Sequence, residues 1–93
     1  MIRLSGSLIC TTHAQARAVM MSLPDHLRLT RAEPGCLSFD VVETGDPMIW
    51  QVDEAFIDRA AFEAHQTRAA ASDWGRQTAG ITREYVISEE GVA

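Results

Sequence analysis

The sequence predicts an α+β domain in the ferredoxin-like βαββαβ order, a four-stranded antiparallel sheet with both helices on one face. Three observations carry this: stretches that alternate apolar and polar residues, stretches with apolar residues at helical spacing, and the order in which the two kinds follow one another. The first strand runs from Ile2 to Cys10, with Ile2, Leu4, Gly6, Leu8 and Cys10 on one side. Gly6, in mid-strand, leaves room on that side for a neighbouring element or a ligand. Thr12 to Gln15 reads as a capping box opening a helix towards Ala32, with Ala16, Met20, Leu23 and Leu27 as its inner face. Pro24 should kink or restart that helix, with Ser22 as a new cap. Glu33-Pro34-Gly35 is a turn. The second strand, Cys36 to Glu43, places Leu37, Phe39 and Val41 together, and Thr44-Gly45-Asp46-Pro47 folds it back as a hairpin. The third strand, Met48 to Phe56, puts Met48, Trp50, Val52, Glu54 and Phe56 on one face. Asp58 caps a second helix, Arg59 to about Ala71, with Ala61, Phe62, His65 and Ala69 inward. Ser72 or Asp73 caps a short turn carrying Trp74, and Ile81 to Ser88 is the last strand, before a loose tail from Glu89 to Ala93.

The 93 residues make a single domain, with its core over about residues 2–88. A chain this short buries only about 60–70% of its unfolded surface, so its uncovered sheet face should meet a second copy in a homodimer. Thirteen acidic residues against eight Arg, with no Lys and no Asn, give a net charge of −5. The Arg are scattered singly from Arg3 to Arg83, not gathered into the basic stripe that displaces counterions from phosphates, which argues against nucleic acid as a partner. No apolar run is long enough to span a bilayer and the opening MIRLSGSLIC lacks a signal peptide's pattern, so a cytoplasmic protein without membrane contact is expected. Cys10 and Cys36 fit neither a zinc spacing nor a disulfide framework, and the topology sets them beyond bridging distance.

The run Arg31-Ala32-Glu33-Pro34-Gly35-Cys36-Leu37-Ser38-Phe39, then Trp50 to Phe56, then Asp58-Arg59-Ala60-Ala61-Phe62-Glu63-Ala64-His65, resembles the antibiotic biosynthesis monooxygenase family. Its pattern is an A-E-P-G-C turn, a Glu near the end of the third strand, and D-x-x-A-φ-x-x-H on the second helix. The likeness covers roughly residues 2–88. It implies a dimeric α+β barrel in which two sheets pack face to face and each ligand cavity lies between a subunit's own sheet and helices. The family spans cofactor-free monooxygenases of quinols and aromatic polyketides as well as haem-degrading relatives. Haem-degrading members and some polyketide oxygenases rely on an Asn side chain, which this chain lacks; quinol-type oxidation suits its residues better.

His65, on the buried face of its helix, is the candidate base, since a neutral imidazole accepts a proton near pH 7. Glu54 is the second candidate catalytic residue: a carboxylate among Trp50, Val52 and Phe56 is costly to bury unless paired or protonated, and it could bond His65 or Arg83. Trp50, Trp74, Tyr85, Phe39 and Phe62 are candidate walls for a flat ring, with Trp74 at the rim. His13 and His26 are expected to be solvated. The chain shows no dinucleotide loop, P-loop or metal-ligand cluster, so no cofactor is expected and an oxygenase would draw its electrons from the substrate. The expected activity is therefore oxidation of a small quinol or phenolic compound by O2. Two alternatives stand beside it: a non-catalytic small-molecule-binding dimer, and a proton-transfer isomerase.

Overall fold

Thr12, Asp58 and Ser72 each start a helix in the computed structural model, which describes residues 1–91. Each side-chain oxygen accepts a hydrogen bond from a backbone N–H three residues on, of Gln15, Ala61 and Gly75, and so satisfies a donor the helix cannot reach. The elements in order are β1 (Ile2–Ile9), α1 (His13–Arg31), β2 (Cys36–Glu43), β3 (Ile49–Phe56), α2 (Arg59–Ala71), α3 (Asp73–Gln77) and β4 (Thr82–Glu89). The strands form one antiparallel sheet in the order β2-β3-β1-β4, the ferredoxin-like arrangement.

Strand alternation decides what each sheet face carries. Ile2, Leu4, Gly6 and Leu8 pair with Phe56, Glu54, Val52 and Trp50 on one side of β1, and Gly6 with Tyr85 on the other. With Phe39 and Val41 of β2 these residues form the helix-covered face, and most of them are buried. The opposite face carries Arg3, Ser5, Ser7, Asp53, Asp40 and Glu84, with Val42 and Val86 exposed on the outer strands.

The first helix differs from the expectation in two ways. It runs unbroken from His13 to Arg31 through Pro24, and Ser22 does not cap a new helix but donates its hydroxyl to the Ala18 carbonyl. Its buried stripe is Val19, Leu23, His26 and Thr30, while Met20 is half exposed. In β2 an irregularity between Cys36 and Ser38 breaks the alternation, so Leu37 turns outward, away from Phe39 and Val41. The expected loose tail is tied down at its start: Glu89 belongs to β4, and Glu90 donates its N–H to the Met1 carbonyl and pairs with Arg3 at 2.8 Å. Val92 and Ala93 lie outside the described residues. Cys10 and Cys36 are free thiols.

Three glycines are required by close approach, Gly75 against the carbonyls of Ala69 and Ala70 and two in or beside the sheet. A Cβ at Gly6 would collide with the Glu84 carbonyl of β4, and one at Gly35 with the Cβ of Ala61. The second contact presses the Glu33-Pro34-Gly35 turn against α2, which brings Glu33 to the helix that carries His65. Because backbone cannot yield as a side chain can, Gly6→Ala should cost about 1–3 kcal/mol of stability by urea unfolding. A loss below about 0.5 kcal/mol would show that β4 can move aside.

Candidate functional site

Between the helix face of the sheet and the three helices lies a cavity of about 450 Å³, within the range of small-molecule sites. Its floor is Phe39 and Val41 of β2, Val52 and Glu54 of β3, and Arg83 and Tyr85 of β4; His26, His65 and Trp74 close it from α1, α2 and α3. Phe39, Trp74, Tyr85, Glu54 and His65 thus line one cavity. Trp50 does not join them: buried on the same sheet face, it lines a separate cavity beside the start of α1 and the β2–β3 turn. Phe62 stands behind the site, packed edge-on against Phe56 with ring centroids 5.8 Å apart.

His65 is almost wholly buried and lies between two carboxyl groups. Nδ1 is 2.7 Å from Glu33 Oε1, and Nε2 is 3.8 Å from Glu54 Oε1. Glu33 also pairs with the Arg68 guanidinium at 3.3 Å, and Arg68 donates to the Thr30 hydroxyl at 2.8 Å. A carboxylate paired with arginine can only accept, so the imidazole hydrogen sits on Nδ1 and the Nε2 lone pair faces Glu54. Burial lowers the His65 pKa, while the bond to Glu33 opposes that shift. The net shift is downward, which favours the neutral imidazole, the form that can accept a proton.

Glu54 has the opposite character. Its Oε1 is buried without a hydrogen-bond partner, and burial, with the nearby charge of Glu33, pushes its pKa up to about 7. A carboxyl that changes charge near neutrality is suited to acid–base work. Arg83 does not pair with it: the guanidinium is held by the carbonyls of Thr78 and Ile81 and by the Thr78 hydroxyl, at 2.8 to 3.0 Å. Beside it the Tyr85 phenol is pushed up to about 12, chiefly by burial.

His26 corrects the expectation of a solvated side chain. It is 3% exposed, and its ring lies parallel to the Trp74 indole with centroids 4.4 Å apart. Burial first, then the neighbouring His65, Arg68 and Arg83, lowers its pKa to about 3. A signal for it was present in the sequence: Val19, Leu23, His26 and Thr30 follow helical spacing of four, three and four, but Met20 and Leu27 suggested the adjacent stripe. Glu33 and Arg68 carried no comparable signal, since the contact joins a turn and a helix 35 residues apart.

The model of the family described as antibiotic biosynthesis monooxygenase matches residues 11–77. No curated protein matches the chain. Among solved structures, a proposed antibiotic biosynthesis monooxygenase from Nitrosomonas europaea is similar at 21% identity with a TM-score of 0.81, over 97% of this chain and 98% of its own. One from Deinococcus radiodurans, also 21% identical, gives a TM-score of 0.73 over 100% and 95%. A second Nitrosomonas europaea protein, of unknown function, is 24% identical with a TM-score of 0.76 over 99% and 90%. At these identities the structures speak for the fold.

The buried His26 has a measurable consequence. With its pKa near 3 in the fold and 6.5 as its ordinary value, the unfolded chain binds more protons between those limits, so this contribution to stability is lost as pH falls through them. His26→Phe keeps a ring against Trp74 and removes the titration. Between about pH 7 and pH 4 the variant should lose less Tm than the wild type; equal losses would mean that His26 titrates as it does in water.

Proposed function

The chain belongs to the antibiotic biosynthesis monooxygenase family, and we propose that this protein oxidises a small quinol or phenolic ring with O2, using electrons drawn from the substrate. The observation that carries the reading is the unpartnered, buried carboxyl of Glu54, 3.8 Å from the lone-pair nitrogen of His65 in an aromatic-walled cavity. A phenol gives up an electron to O2 far more readily as its anion, so the protein's first task is to remove a proton in a dry site. In this reading Nε2 of His65 takes the hydroxyl proton, and ionised Glu54 stabilises the imidazolium from the cavity side. Trp74, Tyr85 and Phe39 bound the slot for the ring.

The balance closes on the substrate alone. Oxidation of a phenol to the quinone level by one O2 adds one oxygen atom to the ring and releases the other as water, and the four electrons that reduce O2 all leave the ring. Arg83, fixed by its three hydrogen bonds, supplies a positive charge on the cavity floor that favours the anionic form of the ring.

We place a second subunit on the uncovered sheet face, whose exposed Val42 and Val86 flank a polar centre. A homodimer of this kind would cover the side of the sheet opposite the cavity, as befits a chain too small to bury much surface alone.

Oxygen uptake with a panel of hydroquinones and monophenols tests the activity, and its pH profile tests the base. Because the working form needs Glu54 ionised, kcat should rise with pH through about 7 and level off above it. Glu54→Gln should abolish that limb and lower kcat by on the order of 10²-fold, with KM changed less than about twofold. A variant with wild-type kcat and the same limb would remove Glu54 from the mechanism; wild-type protein that consumes no oxygen with any of the panel would remove the oxygenase reading itself.

A further inference from the structure

Behind the cavity, on the side of His65 away from the substrate space, stands a polar cluster that the proposed chemistry leaves unused. Glu33 comes from the turn before β2, Arg68 from α2 and Thr30 from the last turn of α1. None of the three lines the cavity. Thr30 is fully buried, and Glu33 keeps only 20% of its side chain exposed. Arg68 donates to Thr30 Oγ1 at 2.8 Å and approaches Glu33 at 3.3 and 3.5 Å, so the carboxylate is held by a cation that is itself anchored. Its Oε1 then meets His65 Nδ1 at 2.7 Å, the shortest polar contact the imidazole makes among the described residues.

We propose that Glu33, clamped by Arg68 and Thr30, is the positioning residue of the base. It keeps the imidazole hydrogen on Nδ1, so that the Nε2 lone pair points at Glu54 and the cavity, and it stabilises the imidazolium formed when that lone pair takes the substrate's proton. The inference rests on the reading of His65 as the base, and it gives to Glu33 the bond to His65 that the sequence suggested for Glu54. Geometry separates the two carboxyls. At 2.7 Å Glu33 is hydrogen-bonded, whereas at 3.8 Å Glu54 is not, and only Glu33 has a cation to hold its charge in place. One imidazole thus has a fixed acceptor on one nitrogen and a free partner on the other, the division of labour by which a second group fixes a catalytic histidine's tautomer.

The groups that face the ring are Glu33 from the turn, Arg68 on its own helix, Glu54 from β3 and His26 from α1, whose ring centroid is 5.8 Å away; Arg83 and Tyr85 of β4 lie across the cavity. His26 stays neutral over the working range, and Glu54 is the group here that changes charge near pH 7. Since Glu33 adds to the upward push on Glu54, removing its charge should move the activity limb to lower pH, which a purely structural role would not do.

The test combines 15N NMR of the three imidazoles with steady-state oxygen uptake on wild type, Glu33→Gln and Glu33→Asp. In wild type at neutral pH, His65 should report hydrogen on Nδ1 and a bare Nε2. Glu33→Gln should lower kcat by on the order of 10²-fold with little change in KM and shift the acid limb downward, while Glu33→Asp restores part of the rate. Hydrogen on Nε2 in the wild type would overturn the proposal, as would a Glu33→Gln protein with wild-type kcat and pH profile. The NMR measurement needs no turnover and no variant. Its outcome therefore stands even if a variant fails to fold, and a correct tautomer in a protein that consumes no oxygen would locate the failure in the function and not in the positioning.

Discussion

The structure turns on a carboxyl group that strand alternation forces indoors. In β3 the residues at 50, 52, 54 and 56 share one face, and three of them are Trp50, Val52 and Phe56, which the helices must cover. Glu54 is carried in with them. A one-residue slip would release it but would expose the whole apolar set, so the sheet register and the buried carboxyl come as a unit. Water is then too scarce to favour the charged form, and the proton affinity rises until it matches neutral solution. The pH dependence proposed for the cavity follows from that constraint, because a carboxyl in an ordinary environment would be ionised well below neutrality and would leave no activity limb near pH 7.

Much of the fold was legible for the same reason that Glu54 is buried: periodicities of two and of 3.6 residues are written directly in the residue order. All four strands and both long helices fall close to their expected positions. The misread features are those where two local signals compete. Val19 and Met20 offer rival helical stripes, and only the sheet beneath decides between them. Pro24 costs a backbone donor, but it lies within a 19-residue helix whose remaining hydrogen bonds and packing outweigh one loss. Leu37 fits the alternation of β2, yet the irregularity between Cys36 and Ser38 leaves it on the outside.

The site was legible only in part, and the dividing line is contact order. His65 announces itself through its helix, three and four residues from Phe62 and Ala61, and Glu54 through its strand; each is a local pattern. That Trp50 and Phe62 lie apart from the cavity is a tertiary fact, as is the placement of His26 against Trp74. Glu33 is the most instructive omission. In the sequence it belongs to a turn with Pro34 and Gly35, where a polar residue needs no further explanation. Only the contact of Gly35 with Ala61 brings that turn onto α2 and converts a surface carboxylate into a partner of His65.

A titrating group in a core of this size raises the question of why the fold tolerates its change of charge. The two strongly shifted groups of the cavity answer with opposite signs. Glu54 binds its proton more tightly folded than unfolded, so its contribution is complete below its ordinary value of 4.5 and is lost as pH rises towards 7. His26 binds its proton less tightly folded, so its contribution is complete above 6.5 and is lost as pH falls towards 3. Between about 4.5 and 6.5 both act at once, and one gains what the other loses. Across that window folded Glu54 keeps its proton and folded His26 stays without one, so the two contributions offset and stability changes less with pH than either group alone would impose. The histidine stacked on Trp74, part of the wall of the same cavity, thus offsets the pH dependence that a buried carboxyl brings to a 93-residue chain, up to the edge of the range in which that carboxyl ionises.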